Sequence, residues 1–207
     1  MILMKFSKRA LFAAAACILL ILTGACSSKP FLVVNYQLPS PTDTLADKEV
    51  SQAIIDMRQT KAFLTESAKK SLREFDETFS LVVLKEDGSG NLLGIYEVEA
   101  LIAEIFKQRL INLGLQVSAP TGQTEYELKI NLKEFKLDLA GRKWIINMGF
   151  QAHLLKNGRL RARESVNGSA ERIKVMAKSD AEKLLGELLT DMVNKLDLVK
   201  LFQQAQL

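Results

Sequence analysis

From Tyr126 to Val166 apolar and polar side chains alternate almost without a break, a pattern that only half-buried β-strands can use. Tyr126, Leu128, Ile130 and Leu132 hold one phase, and Phe135, Leu137 and Leu139 hold the other. This change of parity predicts a bulge near Lys133 and Glu134, since one extra residue returns the apolar side chains to the same face. Ala140-Gly141-Arg142 then turns the chain into Trp144, Ile146, Met148, Phe150, Ala152 and Leu154. Asn157-Gly158, between Lys156 and Arg159, suits a two-residue hairpin, which needs residues that tolerate positive φ. Leu160, Ala162, Glu164 and Val166 complete a third strand. Three such strands form an antiparallel meander whose apolar face must be covered, so the chain has to supply the cover.

Two segments fit that need. Val98, Leu101, Ile102, Ile105, Phe106 and Leu113 recur at helical spacing between Glu97 and Leu113, and Gly114 stands where a helix would stop. Leu184, Leu185, Leu188, Leu189, Met192, Val193 and Leu196 form a second stripe, opened by a capping box at Ser179-Asp180-Ala181-Glu182. A turn around Leu198 to Phe202 is expected to fold back on the domain. Upstream, Val50 to Met57 and Leu115 to Ser118 read as strands. Phe79 to Leu84 and Leu92 to Tyr96 read as a hairpin around Asp87-Gly88-Ser89-Gly90-Asn91. Residues 61–76 are highly charged with a weak helical rhythm, which predicts a surface helix or a mobile excursion. The expected fold is α+β: a two-layer sandwich, its curved, mainly antiparallel sheet carrying two long amphipathic helices on one face. With 48% apolar and 25% charged residues the chain can bury a core and is not disordered. Residues 49–207 are expected to form one domain. Residues 26–48, with three of the four prolines, read as a tether in which Phe31 to Gln37 is an edge strand or a segment laid against the domain.

Lys5, Lys8 and Arg9 precede an apolar run from Ala10 to Leu22, and Thr23-Gly24-Ala25-Cys26 follows. A basic start, a short apolar run and small residues predict a secretory signal peptide over residues 1–25, cleaved after Ala25. The run is too short for a spanning helix, which takes roughly 20 apolar residues. Cys26 directly after Gly24-Ala25 resembles the lipobox of bacterial lipoproteins, with Thr23 standing where Leu, Ile or Val is usual. The resemblance implies diacylglycerol and acyl groups on Cys26, a membrane anchor, and no other cofactor. Ser27, rather than Asp, follows the cysteine, which by resemblance to enterobacterial lipoproteins implies the outer membrane, with the domain facing the periplasm. Cys17 would leave with the signal, so the mature chain would hold no free thiol and no disulfide. Three of the 28 basic side chains would leave as well, and 25 against 24 acidic ones give no reason to expect nucleic acid as a partner.

The order of elements resembles the YajG-type family of bacterial lipoproteins. The likeness lies in Cys26 and in Ala53-Ile54-Ile55-Asp56-Met57-Arg58-Gln59, which looks like that family's strand ending in Asp-x-Arg. It extends to the helix ending at Gly114, to Lys156-Asn157-Gly158-Arg159, and to Thr190-Asp191-Met192 followed by Asp197. The chain is also loosely similar to the auxiliary lipoproteins of envelope lipid transporters and to the small partner lipoprotein of the lipopolysaccharide-insertion barrel. The resemblance implies an adaptor rather than an enzyme.

The residues agree in part. One His and no mature thiol exclude the common zinc sets and Cys-His nucleophiles, and no G-x-S-x-G elbow occurs. His153, on the Gln151 and Leu155 side of its strand, reads as satisfied or solvent-facing. The glycines of Asp87-Gly88-Ser89-Gly90 belong to a hairpin, not to a phosphate cradle. No catalytic residue and no metal ligand is assigned. Trp144 reads as a core or sheet-edge aromatic. Arg159, Arg161 and Arg163 share one strand face in this reading, near Arg172 and Lys174, and form either an anionic docking face or an ordinary solvated one. Three functions stay open: a non-enzymatic, lipid-anchored adaptor contacting an envelope protein; an auxiliary lipid- or glycolipid-binding component of an envelope transport system; and an enzyme using Asp or Glu pairs.

Overall fold

The computed structural model describes residues 30–46, 48–118 and 124–205. The signal segment, Ala25 and Cys26 lie outside them. In chain order the elements are β1 (Leu32–Gln37), β2 (Glu49–Asp56), α1 (Glu66–Ser71), β3 (Phe79–Leu84), β4 (Gly90–Tyr96), α2 (Val98–Ile111), β5 (Gln116–Ser118), β6 (Tyr126–Ala140), β7 (Lys143–Lys156), β8 (Arg159–Ile173), α3 (Ala177–Lys195) and α4 (Leu198–Gln204). The strands form two sheets, ordered β1-β3-β4 and β5-β2-β6-β7-β8. Both are mixed. β1 runs parallel to β3, and β2 runs parallel to β5 and β6. The pairs β3–β4, β6–β7 and β7–β8 are antiparallel.

The fold is α+β, but the single, mainly antiparallel sheet of the sequence reading is replaced by two mixed ones. Alternation reports which face of a strand is buried and says nothing of a neighbour's direction. The meander itself forms as expected. Leu132 pairs with Phe150 and Glu134 with Gly149, so Lys133 is the extra residue. Ile130 and Leu132 before it, and Phe135 and Leu137 after it, are all buried on the same side. Asn157 and Gly158 take φ of 50° and 71°, as the tight turn to β8 demands.

Helix α2 lies against β2 and β5 and reaches β3 and β4, while α3 lies against β7, β8 and β1. The smaller sheet closes the same core: the Phe79 ring of β3 stands 5.1 Å from that of Phe63, itself 4.8 Å from Phe135 of β6. Residues 61–76 hold a short surface helix, with Glu66, Ser67, Lys69 and Lys70 exposed, and are not an excursion, since the segment is fastened to the core. Phe63, Ala68 and Leu72 are buried, and the Thr65 N–H and Leu137 N–H bond across to Leu137 O and Phe63 O at 3.0 and 2.8 Å. Only six residues are helical, capped by Thr65, whose hydroxyl also donates to Asp138.

The tether of the sequence reading is corrected as well. Leu32, Val34 and Tyr36 of β1 are fully buried, so the packed region begins at Leu32 and not at residue 49. β1 is an edge strand, as expected, and its free edge meets α3. Glu182 Oε1 accepts from the Val33 N–H at 2.9 Å, and Thr190 Oγ1 from the Gln37 N–H at 3.0 Å. Asn194 Nδ2 donates to Gln37 O at 3.0 Å, and the Tyr36 hydroxyl donates to Asn194 Oδ1 at 2.9 Å. Glu182, Gly186, Thr190 and Asn194 recur every fourth residue and so form one stripe of the helix. At Gly186 a Cβ would stand 2.7 Å from the Asn35 carbonyl oxygen. Glu182 is thus spent on β1, and the expected capping box does not form. The helix begins earlier, at Ala177, where Asp180 Oδ2 accepts from the Val175 and Met176 N–H groups at 2.7 and 2.6 Å.

Gly186→Ala is expected to destabilise the protein by about 2–3 kcal/mol, because helix and strand backbones would have to separate. Gly158→Ala has open space around it and should cost about 1 kcal/mol through positive φ alone. Urea unfolding of the two variants checks the ranking, and a harmless Gly186→Ala would refute the close approach.

Candidate functional site

A groove of about 1010 Å³ opens between the end of β2, the first turn of α2 and the turn before β3. Its floor is the inner edge of β2, at Gln52, Ile54 and Asp56. Gln52 ties that strand to the helix, its Nε2 donating to Ala103 O at 2.9 Å. Asp56 and Arg58 form a forked pair: Arg58 Nε donates to Oδ1 at 3.0 Å and Nη2 to Oδ2 at 2.9 Å. Arg58 Nη1 reaches Phe135 O at 3.3 Å, two residues past the β6 bulge. Both side chains are only 5% exposed. Lys61 closes the pair from the groove side, its Nζ lying 3.1 Å from Oδ2 and donating to Asp56 O at 2.7 Å.

Burial pushes the Asp56 carboxyl up, but the hydrogen bonds from Arg58 and Lys61 outweigh it and hold the group at about 2. Asp56 is thus a paired carboxylate, a brace between β2 and β6 rather than a proton donor. Asp76 also lines the groove. The Thr78 hydroxyl and N–H donate to it and hold it below the usual carboxylate range. Glu77, Glu97 and Glu99 complete an acidic rim. A carboxylate pair for glycoside hydrolysis needs one carboxyl raised to act as the acid, and both Asp56 and Asp76 move the other way. Among the described residues no three His, Cys, Asp or Glu side chains converge to hold a metal ion. A second groove, of about 830 Å³, runs between α3 and the outer face of β1 and β3, past Val33, Leu84 and Thr190.

The arginines of β8 are exposed but do not share one face. Leu155 pairs with Leu160 and Leu154 with Ala162, so Arg161 is a bulged residue. Arg159 then stands opposite Lys156, on the side of Ala162, and Arg163 opposite His153 on the other side. Period-two counting along β8 missed the extra residue because Leu160 and Ala162 hold the same phase in the sequence, whereas the bulge leaves Leu160 52% exposed and Ala162 buried. Arg172 is held apart, forked onto Glu187 of α3 at 2.7 and 2.8 Å. His153 Nδ1 lies 3.2 Å from Asn131 Nδ2, and Trp144 is fully buried. The acidic rim escaped the sequence reading because it is gathered from three separate segments, around residues 56, 76 and 97, with no shared period.

No family model matches the chain, and no curated protein sequence matches it. Solved structures do. A protein from Xanthomonas campestris, described by the family model DUF330, is similar over 84% of this chain and 99% of its own, at 12% identity and a TM-score of 0.51. A minor lipoprotein from Acinetobacter baumannii covers 77% of this chain and 94% of its own, at 9% identity and a TM-score of 0.38. For rare lipoprotein B from Shewanella oneidensis the shares are 75% and 95%, at 8% identity and a TM-score of 0.37. The likeness is one of fold, a distant structural resemblance to bacterial lipoproteins. Among the described residues no helix is long and apolar enough to cross a membrane.

Asp56→Asn is expected to cost about 3–5 kcal/mol at neutral pH, since it leaves the buried Arg58 charge uncompensated. Replacing both partners, as Asp56→Leu with Arg58→Met, should recover most of the loss. The pair's contribution is complete above about pH 4 and is lost as pH falls through about 2, because the folded carboxyl lies below its ordinary value. The gap between wild type and Asp56→Asn in urea unfolding should therefore narrow over that window.

Proposed function

We propose that the chain is a lipid-anchored accessory or adaptor protein of the bacterial cell envelope, of the YajG-type kind, acting through protein contacts rather than catalysis. The observation that carries this reading is the filled interior. Phe63, Phe106, Phe135, Trp144 and Phe150, each at most 1% exposed, occupy the space a ligand would need. A lipid carrier needs an apolar chamber of several hundred Å³ that encloses most of its ligand. The grooves here are surface features edged by carboxylates and amides. The lowered Asp56 and Asp76 carboxyls support a non-enzymatic role. The signal pattern and Cys26 support an anchor at the outer membrane, facing the periplasm. Two or more acyl chains, at about 0.8 kcal/mol per buried CH₂, make such anchoring stable where one chain is marginal.

On this proposal Cys26→Ser abolishes labelling by radioactive palmitate and moves the protein from the membrane to the soluble periplasmic fraction. Unchanged fractionation and labelling would defeat the anchor. Photocrosslinkers at Arg161 and Arg163 are expected to yield an adduct of discrete mass in intact cells. Failure of these and other exposed sheet positions to yield any would defeat the adaptor role.

A further inference from the structure

Val175 is 80% exposed, and Ile173 and Met176 are 61% and 64% exposed. Three bare apolar side chains within four residues form the link between β8 and α3. Cations surround them. The Lys174 N–H donates to the carbonyl of Arg142 at 2.8 Å, and Ile173 pairs in register with Lys143, so the β6–β7 turn brings two basic residues alongside. Lys178, in the first turn of α3, faces the Phe31 ring at 5.8 Å. Lys70 and Arg73 line an adjoining groove of about 360 Å³ with Lys178. The nearby acids are largely committed: Asp180 takes the Val175 and Met176 N–H groups, and Glu171 pairs with Lys143 at 2.8 Å. Glu74 stands on the groove rim.

The chain enters the domain at this same end. Pro30 O accepts from the Asp76 N–H at 2.9 Å, the Leu32 N–H donates to Thr78 O at 3.1 Å, and Val33 is bound to Glu182 in the second turn of α3. Only five residues carry the chain from Cys26 to Phe31, a reach of at most about 18 Å. β8 is 15 residues long, so its two ends stand about 46 Å apart. A tether that short holds the Ile173 end of β8 near the bilayer and keeps the Arg159 end away from it.

We infer that the link carrying Ile173, Val175 and Met176 is a membrane-contact site. It rests on the proposed anchor at Cys26. The three apolar side chains enter the boundary between headgroups and acyl chains, and Arg142, Lys174 and Lys178 meet lipid phosphates. Apolar insertion and attraction to anionic headgroups act together at such a surface. The contact gives the anchored domain a fixed orientation, with the β3–β4 and β7–β8 hairpins pointing into the periplasm.

The test uses the full chain, purified with its lipid and reconstituted into vesicles of phosphatidylethanolamine and phosphatidylglycerol. An environment-sensitive fluorophore is placed on Val175→Cys or, at the far end, on Asp87→Cys; both positions are exposed, so folding is not at stake. On reconstitution the probe at 175 is expected to brighten about threefold or more and to be quenched by a lipid-borne quencher, while the probe at 87 changes little. Adding Met176→Glu should reverse most of that response. If the mass shows diacylglycerol on Cys26 but both probes respond alike, the anchor stands and the contact site is refuted. A Cys26 without acyl groups overturns the anchor and this inference with it. A probe at 175 that is shielded in native envelope membranes yet exposed on pure lipid vesicles would mean that a protein covers the link, which refutes the lipid assignment.

Discussion

An edge strand that is buried on one face still has a row of N–H and C=O groups along its open side, and those of β1 are answered by side chains of α3. Leaving such groups buried and unpaired would cost about 1–3 kcal/mol each. Glu182, Thr190 and Asn194 supply the partners, and Gly186 lets the helix come close enough for them to reach. The same helix covers β7 and β8, so with α2, which lies on β2 and reaches β3 and β4, it ties the smaller sheet to the larger.

The bulge in β6 plays the corresponding part in the larger sheet. A strand of 15 residues twists appreciably, and the extra residue at Lys133 re-aims its second half so that Phe135 and Leu137 still face inward. Just past it, the Phe135 carbonyl takes a hydrogen bond from Arg58, whose charge is neutralised by Asp56. A buried ion pair of this kind adds little net stability over an apolar pair, but it is costly to split. It links the end of the parallel strand β2 to the Phe135 carbonyl of β6. The likeness of Asp56-Met57-Arg58 to a lipoprotein motif thus acquires a structural reason.

With its interior filled by aromatic side chains, the domain has its surface left to act through. That surface is uneven. The acidic groove lies beside the end of β2, the apolar link with its cations lies where the chain enters, and exposed arginines lie at the far end of β8. Under the proposed anchoring, these features would face different surroundings, the bilayer at one end and the periplasm at the other.

The sequence by itself determined the elements whose cause is local: the three-strand meander, its bulge at Lys133, the Asn157-Gly158 turn, the long helix α3 and the shorter α2, and the apolar faces that make up the core. Each follows from side-chain periodicity or from residues that tolerate a particular φ. The strand directions, the second sheet, the place of β1 inside the core, and the use of Glu182 on a strand rather than a cap were settled only by tertiary structure. So were the buried Asp56–Arg58 brace and the separation of Arg159 from Arg163. These depend on which backbone groups of distant segments meet, and a sequence pattern records burial along one segment without recording the partner across from it.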